Sequence, residues 1–317
     1  MTAVPEVAYS VRPGWGGVPF VVQIVLEQRL GTHVVNAVSQ TSGFAAGLAS
    51  RLELADGGRV FVKGVPASHP TIRGYHAEAY AAGALPEGTP APLLLGTIDD
   101  DWFLLVFEDV EGEQPDLSPG SPDVPALLHG IDTMRALLTP CPLPALPTAD
   151  AVFGVQLSGW AHLGQHPPHD LDLWARRNLD KLVAMESAWR PWSAGDTMLH
   201  MDLRPDNVLI RHGDRRAMMV DWAHAVRGAP WLELANLVPH LVVGGHSPAQ
   251  AERAVLRGPA VAGVPAWAIT GFAAAVAGYW AAASRQPSPP GSYGLRAFQA
   301  TAAAAALAWV ARRTGWA

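Results

Sequence analysis

Cysteine is almost absent from this 317-residue chain, and lysine nearly so: Cys141 stands alone between two prolines, and 2 lysines accompany 20 arginines. A single thiol closes no internal disulfide, and no Cys/His spacing resembles a zinc site. A stapled extracellular scaffold is therefore excluded, and a reducing, cytoplasmic setting is the expectation. The arginines are scattered and the formal net charge is −6, which leaves no basic patch for a nucleic-acid partner. Residues 1–17, MTAVPEVAYSVRPGWGG, lack the basic start and continuous apolar run of a secretory leader, so export is not expected. Charge is missing altogether from Gly258 to Ser284, a run of 27 residues. Pro259 and Pro265 interrupt that run, and its alanines and glycines gain far less from lipid than Leu or Ile. It reads as a buried helix, and no membrane partner is expected.

Apolar residues make up 49% of the chain, charged residues 16%, and mean hydropathy is +0.13, values of a well-buried globular protein. The length exceeds what one hydrophobic core usually supports, so two lobes sharing a cleft are expected. Pro19 to Leu30 has helical apolar spacing and Val34 to Ser39 reads as a strand, followed by a small-residue loop from Gln40 to Gly47. Leu48 to Leu54 and Arg59 to Val65 flank Ala-Asp-Gly-Gly, a hairpin turn sequence. Ile72 to Ala82 looks helical, and Pro92 to Thr97 with Trp102 to Phe107 form a second strand pair. Beyond Asp123 the periodicity is mostly helical: Asp123 to Leu138, Leu171 to Trp189, Trp231 to Val243, Pro248 to Leu256, Trp267 to Ser284 and Leu295 to Arg313.

The segment His200-Met-Asp202-Leu-Arg204-Pro-Asp-Asn207 runs into strand-like Val208 to Arg211, and Met218 to Val220 then lead to Asp221. A His-x-Asp-x4-Asn match is expected by chance about 0.008 times in a chain of this composition. The residue types suit phosphoryl transfer. A carboxylate must orient and deprotonate the attacking hydroxyl while other oxygen ligands hold magnesium against the phosphates. Asp202, Asn207 and Asp221 supply such groups, and Arg204 offers a delocalised positive charge to the transferring phosphate.

At these residues the chain resembles the aminoglycoside phosphotransferase family of the protein-kinase-like superfamily, over about Ser39 to Ala235. The resemblance implies a bilobal α+β fold, with a small antiparallel-sheet N-lobe over 1–108 that binds nucleotide. A helical C-lobe over 109–317 would carry the catalytic loop and acceptor site. It implies Asp202 as catalytic base, Arg204 as counterpart of the protein-kinase catalytic-loop lysine, and Asn207 and Asp221 as Mg2+ ligands. Lys63, within Val-Phe-Val-Lys-Gly, looks like the strand lysine that contacts nucleotide phosphates. Glu78 looks like its ion-pair partner, with Glu53 as a second candidate near the strand. Ser42, Gly43 and Phe44 would lie over the phosphates, and the Phe107 carbonyl and Asp109 amide would meet the adenine edge. ATP is the implied cofactor, with GTP left open. Trp222 after Asp221, in place of the Phe-Gly of protein kinases, resembles the small-molecule branch. Gly228 to Ala235 resembles a Gly-Asp-Pro-x-x-Asp-Leu-Ala motif in which Ala229 and Glu233 replace aspartates, and Glu233 is expected to keep a structural role.

Several residues have plainer readings. His200 is expected to pack and to bond backbone. His162, His166 and His169 fall in a Pro-rich stretch without carboxylate spacing that selects an ion. Most of the 12 tryptophans belong to cores, with Trp160 and Trp222 as pocket candidates. A polycationic aminoglycoside calls for several carboxylates on the acceptor side. After Asp221 there are only Glu233 and Glu252, against seven arginines. The expected acceptor is therefore the hydroxyl of a neutral or weakly charged metabolite, sugar or natural product. An aminoglycoside kinase is the alternative, and a nucleotide-binding pseudokinase ranks below it. Oligomeric state is not fixed by the sequence.

Overall fold

The computed structural model describes residues 11–317; residues 1–10, including most of the stretch weighed above as a leader, lie outside the described residues. Helix α1 (Phe20–Leu30) ends at Gly31, whose φ of 72° is the left-handed C-cap that glycine adopts without steric cost. A five-stranded antiparallel sheet follows, built from β1 (Val34–Ser39), β2 (Leu48–Leu54), β3 (Arg59–Pro66), β4 (Leu94–Asp99) and β5 (Trp102–Glu108), with α2 (Ile72–Ala82) after β3. Its order is β1-β2-β3-β5-β4. The β2–β3 hairpin closes as its turn sequence predicts: Gly57 has φ 87°, and the Asp56 carboxylate accepts the Gly58 N–H at 2.9 Å.

Strand β5 explains why one stretch is apolar without alternation. Every residue from Trp102 to Phe107 is buried, because the sheet is covered on both faces. Val22 and Leu26 of α1 pack with Leu52, Val62, Leu104 and Val106 on one side. Tyr75 and Ala82 of α2 pack with Val65, Phe103, Leu105 and Phe107 on the other.

The remainder is mainly helical. After β6 (Gly112–Glu113) come α3 (Asp123–Leu137), α4 (Ala149–Gln156), α5 (Gly159–Gln165), α6 (Leu173–Arg177) and α7 (Leu179–Met185). Four short strands follow, β7 (Thr197–Leu199), β8 (Val208–Arg211), β9 (Ala217–Met219) and β10 (Val226–Gly228). Helices α8 (Trp231–Val243), α9 (Pro248–Val255), α10 (Ala266–Ala283) and α11 (Leu295–Thr314) complete the chain. Strand β8 pairs with β6 and β9, and β7 pairs with β10, so residues 200–207 and 220–225 form the two loops between these ladders.

The uncharged run is a core helix. Among the described residues α10 alone is long and apolar enough to cross a membrane, yet 72% of it is buried inside the protein. Two expectations are corrected. Leu171 to Trp189 is not one helix: it breaks at Asn178, whose Nδ2 donates to the Trp174 and Ala317 carbonyls at 3.1 Å, an alternative to continued helix that ties the bend to the C-terminus. Helices α4 and α5 were not anticipated. The first is started by Thr148, whose hydroxyl accepts the Ala151 N–H at 3.2 Å.

Candidate active site

The loop after β7 is held from beneath. Glu233, in the first turn of α8, accepts the backbone N–H groups of His200 at 2.5 Å and Met201 at 3.0 Å. Asn236 donates to the Met201 carbonyl at 3.2 Å. These bonds hold Met201 at φ 61°, a left-handed conformation uncommon for a residue with a side chain. His200 is buried, with Nε2 donating to the Val220 carbonyl at 2.9 Å and Nδ1 accepting the Asp202 N–H at 3.2 Å. Since a carbonyl only accepts and an amide N–H only donates, the partners fix a neutral tautomer. Burial agrees, pushing the imidazole down to about 4. Burial also pushes the Glu233 carboxyl up to about 7, against the two N–H groups that favour its charge.

This support presents Asp202 to the cleft. Asn207 Nδ2 donates to the Asp202 carbonyl and to its Oδ2, both at 2.8 Å. Because both partners are acceptors, the amide orientation is determined and Asn207 Oδ1 points away from them. Burial raises the Asp202 carboxyl, partly offset by Arg204, whose Nη2 lies 3.5 Å from Oδ2. Arg204 also forks onto Asp206 with two bonds of 3.1 Å, and its guanidinium lies 5.4 Å from the Phe44 ring and 5.7 Å from the Phe298 ring. Asp221 follows β9 by one residue, Val220, and adopts φ 68°, ψ 67°. Burial opposes its charge, but Lys63 and Arg204 outweigh it and bring the carboxyl down to about 2.

From the sheet, Lys63 on β3 pairs across to Ala49 and Leu105. Its Nζ lies 2.6 Å from Glu78 and 3.3 Å from Asp221, joining the sheet, α2 and the loop after β9. Burial works against the ammonium, and Asp221 and Glu78 more than restore it. Of the two glutamates considered as its partner, Glu53 instead accepts from Asn36 Nδ2 at 3.2 Å. In the loop after β1, Gly43 has φ 80°, which requires glycine. The Phe44 carbonyl accepts from Ser292 Oγ at 2.6 Å. At the end of β5 the Asp109 carboxylate is buried between Arg51 at 3.2 Å and Arg59 at 3.5 Å, and Arg51 also donates to the Val110 carbonyl at 2.8 Å. The Asp109 side chain thus fixes this connection to β2 and β3.

All eleven residues singled out from the sequence line one cleft of about 310 Å³. Trp222 lines it too, while Trp160 does not: its indole N–H donates to the Ala274 carbonyl at 2.7 Å inside the helical core. No group of three or more His, Cys, Asp and Glu side chains that could hold a metal ion occurs among the described residues. The sequence reading missed Arg12, Tyr75, Asp206 and His224, which also line the cleft. Asp206 had a signal, two residues after an arginine it could fork with; Tyr75 lies one turn before Glu78 on α2 and His224 three residues after Asp221, while Arg12 depends on distant chain segments.

A second cavity, of about 280 Å³, adjoins the first and shares Phe44, Asp202, Arg204 and His224 with it. Phe153, Phe272, Tyr279 and Trp280 supply its aromatic surface and Gln156, Asn236 and Gln299 its neutral polar groups. Among the described residues Asp202 is the single carboxylate on its wall. Glu233 is buried under the loop, and Glu252 is held by Arg313 at 2.6 Å and the Trp309 N–H at 2.7 Å.

Residues 41–269 match the model of a phosphotransferase enzyme family. The fold is similar to that of a choline kinase from Streptococcus pneumoniae, with a TM-score of 0.64 and 14% identity over 92% of this chain and 98% of that one. It is also similar to an aminoglycoside phosphotransferase from Alicyclobacillus acidocaldarius (TM-score 0.59, 14% identity, 89% and 92% covered). A third similar structure is described as a putative fructosamine-3-kinase from Thermobifida fusca (TM-score 0.55, 21% identity, 90% and 98% covered). No curated protein sequence matches the chain.

Proposed function

Because the chain belongs to this phosphotransferase enzyme family, and is thereby a small-molecule kinase, we propose that it transfers the γ-phosphoryl group of ATP to a hydroxyl of a neutral or weakly charged small molecule. The carrying observation is the meeting of two cavities at Asp202 and Arg204. One is the cleft with Lys63 and Glu78, suited to the nucleotide; the other is aromatic, with Asp202 and Arg204 as opposite charges on its wall, suited to an uncharged acceptor. Asp202 orients the acceptor hydroxyl and takes its proton, and Arg204 stands beside the oxygen atoms that pass between the cavities. Lys63, kept charged by Glu78, neutralises phosphate oxygens. Phe107 and Asp109 line the cleft, which supports assigning the Phe107 carbonyl and the Asp109 amide to the adenine edge.

Magnesium fits the donor set. Asn207 Oδ1 and the Asp221 carboxylate are hard oxygen donors on the cleft wall, and the bonds from Asn207 Nδ2 to Asp202 turn Oδ1 outward. When bound there, the ion supplies charge neutralisation of the phosphates.

An acceptor panel with ATP and Mg2+ tests the reading: neutral sugars, polyols and natural-product alcohols on one side, kanamycin-like polyamines on the other. Turnover confined to the neutral set is expected. Strong turnover of the polyamines alone would overturn the neutral acceptor.

A further inference from the structure

We propose that Arg12, ahead of α1, is a phosphate-binding residue of the nucleotide cleft; this rests on the nucleotide reading above. Arg12 is distant in sequence from every motif residue, yet its side chain lines the cleft with Lys63 and Arg204. Its Nη2 donates to the Ser42 carbonyl at 2.6 Å and its Nη1 to the Gly47 carbonyl at 3.4 Å, so it binds both ends of the loop over the phosphates. A Cβ built on Gly43 would lie 3.0 Å from Nη2 and 3.9 Å from Asp206 Oδ2. The guanidinium therefore sits directly against the loop, on the side that faces the residues after Asp202. Its segment is anchored: the Val11 N–H donates to the Gly291 carbonyl at 3.0 Å, one residue from the Ser292 that holds Phe44. Burial works against the charge of Arg12, while Tyr75, Asp221 and Asp206 favour it.

Lys63, paired with Glu78 and Asp221, and Arg204, paired with Asp206 and Asp202, border the same cleft. Two carbonyls of the loop Ser42-Gly-Phe-Ala-Ala-Gly47 face the guanidinium rather than exposing N–H groups there. A guanidinium presents its five N–H donors in a planar fork, a geometry that matches phosphate oxygens. In this cleft the N-terminal segment supplies donors that a glycine-rich loop would supply from its backbone.

Calorimetric binding of adenosine, ADP and ATP to the wild-type chain, Arg12→Gln and Arg12→Lys separates phosphate contact from loop support. Arg12→Gln is expected to weaken ATP by roughly ten- to a hundredfold, ADP by less, and adenosine hardly at all. Arg12→Lys should recover part of the loss. Equal losses for all three ligands, or none, would overturn the assignment while leaving the nucleotide site standing. A wild-type chain that binds none of them would overturn both. Should Arg12→Gln fail to fold, Arg12→Lys carries the same comparison, because a point charge replaces the fork and ATP must still suffer more than adenosine.

Discussion

Asn207 Nδ2 donates to both the backbone carbonyl and Oδ2 of Asp202, each at 2.8 Å, so one amide sets the direction of the neighbouring carboxylate and leaves its own oxygen turned away from Asp202. The two residues are five apart in the chain and act as one unit. Asp202→Asn is expected to lower turnover by about 10²- to 10⁴-fold with nucleotide affinity largely retained, since an amide cannot accept the hydroxyl proton. Unchanged turnover would remove Asp202 from the role of base.

Asn207→Asp is expected to be worse than Asn207→Ala. A carboxylate cannot donate to Asp202, and it sets a second negative charge against a buried one. Steady-state kinetics at saturating nucleotide and magnesium would show it. Asn207→Asp activity equal to wild type would mean that the donated bond is dispensable.

Glu233 stands where the related motif has aspartate, and its carboxylate carries two buried N–H groups. Glu233→Ala leaves both without an acceptor, so a loss of about 2–6 kcal/mol in unfolding free energy is expected. Glu233→Asp should lose less, because the loop need only settle by one methylene. Urea unfolding of the two variants decides it: equal losses would show that side-chain length, rather than the acceptor pair, matters.

How much of this was legible varies with the reach of the contacts. His200 to Asn207 is contiguous, so residue type and spacing carried its chemistry, and Lys63 with Glu78 spans a single strand and helix. The continuous apolar run of β5 and the uncharged run of α10 were readable because burial on all sides leaves a compositional mark. Arg12 left none. Its position depends on a loop thirty residues away and on Gly291 near the other end of the chain. The break at Asn178 likewise depends on Ala317, and the acceptor cavity draws on α4, α8, α10 and α11 together.

His240 is 3% exposed, stacked 6.1 Å from Phe298 on the wall of the second cavity. Burial, with Arg204 adding to it, pushes its imidazole down to about 3 from an ordinary 6.5. The unfolded chain therefore binds a proton that the folded chain refuses, and the stability associated with the neutral ring is lost as pH falls from 6.5 toward 3. Relative to His240→Gln, the wild-type chain should lose about 1.4 kcal/mol per pH unit across that window. Urea unfolding at pH 6.5, 5.5 and 4.5 gives the difference; a constant difference would mean that the folded imidazole takes up its proton normally.

Two glycines within helices should respond to the same substitution with opposite signs. Gly278 on α10 faces Gly159 and Trp160 at the start of α5: a Cβ there would lie 2.6 Å from Trp160 Cδ1 and 2.9 Å from its backbone nitrogen. Trp160 cannot retreat, because its indole N–H is bonded to Ala274 and its backbone N–H to Glu186 at 2.9 Å. Overpacking of about 1–3 kcal/mol exceeds the propensity gain of up to about 1 kcal/mol, so Gly278→Ala should destabilise. Gly74 on α2 meets nothing within 4 Å and keeps ordinary helical φ. There the propensity term acts alone, and Gly74→Ala should stabilise by about 0.5–1 kcal/mol. Thermal unfolding of both variants is the check. A stabilised Gly278→Ala would mean that α5 and α10 can separate without cost, which the bonds of Trp160 argue against.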